Sequence, residues 1–450
     1  MFQTITSLRC LATLAGGIGL WALQTLPAQA VPSFSRQTGQ ECATCHIGSF
    51  GPQLTPYGMK FKLEGYTESN GKGPLVPLSG MLVASSTHTS KDQSGDAGPH
   101  AGPNDNTVIQ EVSGFLAGRL TDHLGSFTQV TYSGIERKVA LDNLDLRFTQ
   151  NLKLGDTETL VGVTLNNNPT VQDPFNTQPA WRFPYMGSEL APGPAAAPLL
   201  NGGLGQQVLG ASLYGLWNDS IYAELGAYGG SSYDTLKAFN ITKAIRLDGL
   251  SPYARIGYFK DLRKQAFGGG LVAMQSALKQ DGTSRTDKYQ DIGLDGWYQW
   301  LGNRQHIFTL HGSYLHEDQT RDASYDLGAA ENRKGKLDRL DLGGSYHFDQ
   351  SYGVTLGYFN INGDSDGGLY APEPDSGSLN GSPNSNGWTV QADWTRFGKE
   401  NSWGAPWANV RLGLQYTAYG KFNGASRDYD GSGRDASDNN TLFGFLWTAF

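Results

Sequence analysis

Between Arg339 and Phe348 the side chains alternate in character: Leu340, Leu342, Tyr346 and Phe348 are apolar, whereas Arg339, Asp341, Ser345 and His347 are polar. The same period of two recurs at Leu144, Leu146 and Phe148 against Asp145 and Arg147. It recurs at Trp388, Val390, Ala392 and Trp394 against Gln391 and Asp393, and at Val410, Leu412, Leu414 and Tyr416 against Arg411 and Gln415. This period puts one set on each face of a β-strand, so the charges in these stretches share a face. From about Gly80 onward such segments follow one another, separated by turn residues. They predict sixteen strands, beginning near residues 80, 107, 126, 139, 157, 206, 220, 251, 266, 288, 304, 338, 351, 387, 407 and 440.

An even number is what a single-chain bacterial outer-membrane barrel requires. Alternate connections are mostly long (91–106, 168–205, 231–250, 318–336, 363–386 and 423–439), and those between are mostly tight, such as Gly155-Asp156 and Asn218-Asp219. Short turns belong on the periplasmic side and long loops outside. Both chain ends then lie on the periplasmic side. The longest loop, 168–205, holds seven prolines and so is not a concealed strand pair. It is expected to fold inward as a constriction. The chain ends on Leu446-Trp447-Thr448-Ala449-Phe450, and a terminal aromatic on an amphipathic strand resembles an outer-membrane assembly signal.

Composition narrows the class. Of 450 residues 60 are Gly and 51 aromatic (10 Trp, 21 Tyr, 20 Phe), while 17% are charged, a low share for a soluble chain. Beyond the N-terminus no apolar run approaches the roughly 20 residues of a spanning helix. An all-β transmembrane antiparallel barrel remains, its apolar face meeting outer-membrane lipid and its polar face lining a lumen.

At the N-terminus, Arg9, the apolar stretch Cys10 to Leu23 and Ala28-Gln29-Ala30 read as a secretory signal over 1–30. Its removal takes Arg9 away and leaves 33 basic against 42 acidic side chains, a balance that argues against nucleic acid as a partner. Cys10 leaves too, so the mature chain keeps Cys42 and Cys45, in Cys42-Ala43-Thr44-Cys45-His46. C-x-x-C-H is the c-type haem attachment pattern, in which two thiols form thioethers and the histidine ligates iron. A zinc site would want more cysteines, and a thioredoxin-like pair a βαβ setting. The expected organisation is a signal at 1–30, a monohaem cytochrome c segment at 31–79 and a porin-like barrel at 80–450. About fifty residues make little core for an independent cytochrome, so the segment is expected to lodge in the lumen and plug it.

The residues flanking the motif carry a resemblance. Pro32-x-Phe34-x-Arg36-Gln37-Thr38 precedes it, and Pro52-x-Leu54 and Gly58-x-x-Phe61-Lys62-x-x-Gly65-Tyr66 follow. The segment resembles the outer-membrane fused cytochrome–porin family of Fe(II) oxidases, with Ser35 where the family more often has Ala. Asn167 to Asp173 and Pro179 to Tyr185 also look like a loop of that family. The resemblance implies one covalent haem c, extracellular Fe(II) as electron donor and a periplasmic cytochrome or other soluble carrier as acceptor.

Cys42, Cys45 and His46 are therefore the expected cofactor residues, with His46 on iron. Arg36, Lys60 and Lys62 are candidates to pair with the haem propionates. For the sixth iron position Met59 is the first candidate, and Met81, His88, His311 and His347 are alternatives. Acidic loops at 363–366, 373–375 and 428–438 would concentrate a divalent cation outside. Three functions stand at this point: inward electron transfer from extracellular Fe(II), a diffusion porin with a structural haem plug, and outward export of electrons.

Overall fold

A computed structural model describes residues 31–72, 76–181, 183–238, 240, 245–399 and 402–450. The expected signal peptide, 1–30, lies outside the described residues. Sixteen long strands follow in chain order: β1 (Leu78–Thr89), β2 (Asn106–Arg119), β3 (Leu124–Ser133), β4 (Lys138–Leu154), β5 (Thr157–Asn166), β6 (Val208–Trp217), β7 (Ile221–Gly230) and β8 (Ser251–Asp261). The second half holds β9 (Gln265–Lys279), β10 (Thr286–Trp300), β11 (His306–Arg321), β12 (Lys334–Phe348), β13 (Tyr352–Gly363), β14 (Ser385–Thr395), β15 (Asn409–Lys421) and β16 (Thr441–Ala449). A two-residue piece, Arg246–Leu247, lies against the end of β9.

Each strand pairs antiparallel with its neighbours in sequence, and the ring closes where β1 meets β16 from Met81↔Ala449 to Thr89↔Thr441. Closure leaves no strand edge unpaired, which is what a hydrocarbon environment demands. The alternation read from the sequence sets the two faces, and burial is inverted relative to a soluble protein. Glu111, Asp145, Arg147, Glu224, Arg255 and Asp295 point inward and are buried, while Leu213, Leu225, Ile256, Leu271, Ile292 and Leu310 point outward and are exposed. Near the short-turn rim, Trp217, Tyr258, Phe267, Trp300, Phe308, Phe348 and Tyr352 are exposed. They form an aromatic girdle of the kind that marks a membrane interface. The protein is an outer-membrane β-barrel.

Connection lengths follow the expected rule with three departures. The 134–137 and 280–285 links on the long-loop side are short, and the 396–408 link on the short-turn side is long. That periplasmic link reaches the N-terminal segment, so its length serves packing within the lumen.

Residues 31–72 occupy the lumen. Three short helices, α1 (Pro32–Thr38), α2 (Cys42–Cys45) and α3 (Pro56–Leu63), run through the segment. Hydrogen bonds fix them to widely spaced parts of the wall: Ser33 Oγ to Ala117 O, Tyr66 OH to Asp145 Oδ2, Gln53 Nε2 to Thr309 Oγ1, and from the wall Tyr214 OH to Leu63 O and Asn409 Nδ2 to Ser49 O. Apolar contacts add to this packing, with Phe50 edge-on to Trp447 at 4.7 Å. Loop 167–207 folds inward above this plug. Its Asp173 pairs with Arg255 of β8 at 3.0 Å, and Gln178 donates to Asp295 of β10 at 2.6 Å.

Candidate functional site

The two cysteines stand three residues apart on α2, a spacing that puts both on one helical face. At His46 the backbone turns extended (φ −121°, ψ 136°) and forms a bridge with Leu54. That bridge returns the chain to α3, whose start is fixed by Pro56 and by Thr55, which accepts from Gly58 N and donates to Thr44 O. α3 then packs on the motif's own backbone. A Cβ at Gly58 would lie 2.3 Å from Cys45 O, so only glycine permits this approach.

Between these pieces lies a partly open cavity. Cys42, Cys45 and His46 line it together, and Phe34, Phe61, Tyr66, Phe127 and Trp181 give it aromatic walls. His46 Nδ1 is buried with no hydrogen-bond partner, an unpaired polar atom that a bound group would explain. Burial pushes the His46 imidazole down to about 4, with a hydrogen bond to the Gly51 backbone opposing, so the ring is neutral and able to act as a ligand. Burial likewise pushes the Cys42 thiol up to about 11 and the Cys45 thiol up to about 12. Two thiols, a neutral imidazole and an apolar aromatic box suit a covalently attached haem.

The cavity sits at the periplasmic rim. Ala43 N donates to Gly398 O in the long 396–408 link, and Gly48 N donates to the Gln350 side chain in a short turn.

The remaining expected site residues are distributed differently. Arg36 lies off the cavity, where it donates to Leu78 O and its guanidinium stands 4.9 Å over Trp407. Lys60 is exposed and pairs with Glu64 at 3.8 Å. Lys62 borders the cavity but its ammonium donates to Val171 O, Asp173 O and Asn176 Oδ1, each at 2.7 Å. Its role is to clamp the inward loop, so none of the three bases is free at the cavity for a propionate.

Met59 is turned away as well. Cavity-facing positions on α3 are Gly58, Phe61 and Lys62, whereas Met59 and Leu63 pack on Leu160, Tyr214 and Trp297 of the wall. Met81 is buried in the neighbouring aromatic cluster but not on the cavity. His88 is exposed beside Asp105, at the extracellular end of β1. His311 lines a second lumenal cavity, its ring 3.9 Å from Phe183. His347 lies against Gly48, off the cavity. Phe127 of β3 and, from the inward loop, Asn176 and Trp181 are among the cavity residues the sequence did not single out as a site; the signal for the loop pair was its proline-rich composition.

The external carboxylates are largely committed to holding loops. Asp366 pairs with Arg321 and accepts from the Glu331, Asn332 and Leu369 amides, and Asp375 pairs with Arg434. Among the described residues no group of three or more His, Cys, Asp or Glu is placed to hold a metal ion.

Fold and plug define a porin-like barrel with its own N-terminal segment lodged in the lumen. No protein-family model and no curated protein matches the sequence. Solved structures with a similar fold include the outer membrane channel DcaP of Acinetobacter baumannii (12% identity, 83% of this chain and 96% of that one, TM-score 0.46). They also include an OmpF of Salmonella typhi in complex with daunomycin (14% identity, 83% and 97%, TM-score 0.46) and an anion-selective porin from Comamonas acidovorans (12% identity, 83% and 98%, TM-score 0.42). The barrel assignment rests on the strand pairing of this chain itself.

Proposed function

We propose that this protein is a member of the fused cytochrome–porin class and an Fe(II)-oxidising electron conduit of the outer membrane, holding one covalent haem c in its plug. The observation that carries the reading is the grouping of Cys42, Cys45 and His46 on one aromatic cavity inside the barrel, with His46 Nδ1 unpaired. Cys42 and Cys45 would hold the group through thioethers and His46 through iron. When bound, haem supplies a one-electron centre whose potential follows its axial ligands and its burial. The chain supplies the rest. The aromatic walls exclude water, α3 presses the motif into a fixed geometry, and Lys62 locks the inward loop over the cavity. A cavity at the periplasmic rim is accessible to a periplasmic cytochrome or other carrier, while extracellular Fe(II) is the donor; one electron crosses for each Fe(II) converted to Fe(III).

A second reading, a diffusion porin with a structural haem plug, draws support from the second lumenal cavity. It lies on the extracellular side of the plug and is bordered by Glu189, Arg339 and Asp341, a lining suited to polar solutes.

The test is anaerobic addition of Fe(II) to the purified, haem-loaded protein in detergent, followed by the reduced-haem optical band, beside single-channel conductance in a planar bilayer. Prompt reduction that His46→Ala abolishes, with negligible conductance, supports the conduit. A haem that dithionite reduces and Fe(II) does not, in a conducting barrel, sinks it in favour of the porin.

A further inference from the structure

The outward face of β10, β11 and β12 changes chemistry close to its extracellular end. Strand register sets the outward side chains in rows across these three strands. Leu294, Tyr314 and Leu340 form one row, and Ile292, His316 and Asp338 the next. Gln290, Asp318 and Lys336 form a third, and Lys288, Thr320 and Lys334 the outermost. Leu294 and Ile292 are exposed on the lipid-facing surface. Rows lie ~7 Å apart along tilted strands, so the two outer rows stand within about 10 Å of the hydrocarbon, at the depth of the headgroups. On β2, β4 and β6, by contrast, exposed Ile109, Val139 and Leu209 carry the apolar face almost to the extracellular strand ends.

The charges on this rim are not equally free. Asp338 accepts from Tyr314 OH and from His316 Nδ1, and Asp318 lies 3.6 Å from His316 and 3.8 Å from Lys336. Lys279 pairs with Asp248 at 2.9 Å, and Arg333 with Asp322 and Asp326 at 3.0 and 2.9 Å. Lys288 and Lys334 are exposed and, among the described residues, pair with no carboxylate.

We propose that the outermost row is a binding site for a phosphate of the glycolipid that forms the outer leaflet, held between Lys288 and Lys334 with Lys336 in the row beneath. Neighbouring strands lie ~4.8 Å apart, so the two lysines start about 10 Å from each other, a gap that their stems close onto one anion. Thr320 stands between them and brings a hydroxyl. The row continues directly into the apolar surface below, so a lipid meets both with one molecule: phosphate on the lysines, acyl chains on Ile292 and Leu294.

The experiment uses the full-length protein in detergent, stripped of bound lipid, titrated with lipid A carrying both phosphates and read by native mass spectrometry. Wild type is compared with a Lys288→Gln/Lys334→Gln double variant and with Lys279→Gln, a paired lysine on the same rim. The double variant is expected to bind lipid A at least roughly tenfold more weakly, and Lys279→Gln as the wild type does. Dephosphorylated lipid A should bind the wild type as weakly as lipid A binds the double variant, a comparison that needs no substitution. Equal binding of the two lipids by the wild type overturns the inference. So does equal binding of lipid A by the wild type and the double variant. Inorganic phosphate that displaces lipid A at equal concentration overturns it too, because the row then serves the free anion.

Discussion

Lys62 and Lys60 sit two positions apart on one short helix and differ in every energetic respect. The Lys62 ammonium is 3% exposed and satisfied by three oxygens, and it stands 4.2 Å over the Trp181 ring. Burial and the neighbouring Arg147 guanidinium push its pKa down, while Asp145 and Asp173 oppose. Replacing it by methionine keeps the stem, leaves the buried Asn176 Oδ1 unpaired, and leaves Val171 O and Asp173 O with only Trp181 Nε1 and Asn176 N as donors. An unpaired buried acceptor costs ~1–3 kcal/mol, so Lys62→Met is expected to destabilise by about 2 kcal/mol. Lys60 makes a 3.8 Å pair across an exposed turn, and Lys60→Ala should change stability by less than ~0.5 kcal/mol. Urea titration in detergent, read by tryptophan fluorescence, separates the two. Equal midpoints would show that the clamp contributes nothing. The sequence offers both lysines as propionate partners because residue type alone does not say which way a side chain points. The spacing does say it: Gly58, Phe61 and Lys62 fall at i, i+3 and i+4 on one helical face, and Met59 falls off that face.

At the scale of elements, α2 and α3 act as one unit, because Gly58 lets the helix rest on the Cys45 carbonyl. Adding a single methyl in Gly58→Ala brings a Cβ to 2.3 Å of that oxygen and forces α3 outward. The expected cost is ~1–3 kcal/mol, as for other overpacked sites, together with a several-fold lower yield of covalent haem. Gly95→Ala, in an external loop with nothing near the new atom, is the control and should match the wild type in both respects. A normal haem yield in Gly58→Ala would refute the tight coupling of the two helices. The barrel strands were legible from sequence to within a few residues because each one must satisfy lipid on one face and polar contacts on the other, and that alternation is written directly in side-chain polarity. The acidic loops were less legible. Carboxylates that cap amides, as Asp366 and Asp430 do, look in sequence like carboxylates that wait for a cation. The same limit applies to the plug, whose residues bond to barrel residues more than three hundred positions away.

Across the whole molecule, the plug narrows the periplasmic half of the lumen without sealing it and the inward loop narrows it from above, so passage of ions depends on how firmly that loop is held. Lys62 and Arg255 anchor it at one end; at the other, Glu189 faces the carboxylates of Glu111, Asp142 and Glu136. Burial, then Asp142 and Glu136, push the Glu189 carboxyl up to about 8. A raised carboxyl means that the folded loop binds a proton the released loop would lose. The inward state is therefore favoured fully below about 4.5, the ordinary value, and its advantage is lost as pH rises through about 8. Conductance in planar bilayers should accordingly be low at pH 5 and rise toward pH 9, and limited proteolysis within 168–205 should rise in parallel. Glu189→Gln keeps the shape and removes the charge, so it should hold the loop inward and flatten both profiles. A variant lacking residues 31–72 gives the conductance of an unplugged lumen, which sets the upper bound for the alkaline wild type. If the wild type and Glu189→Gln rise together with pH, the loop is controlled elsewhere in the acidic rim and Glu189 is only a bystander.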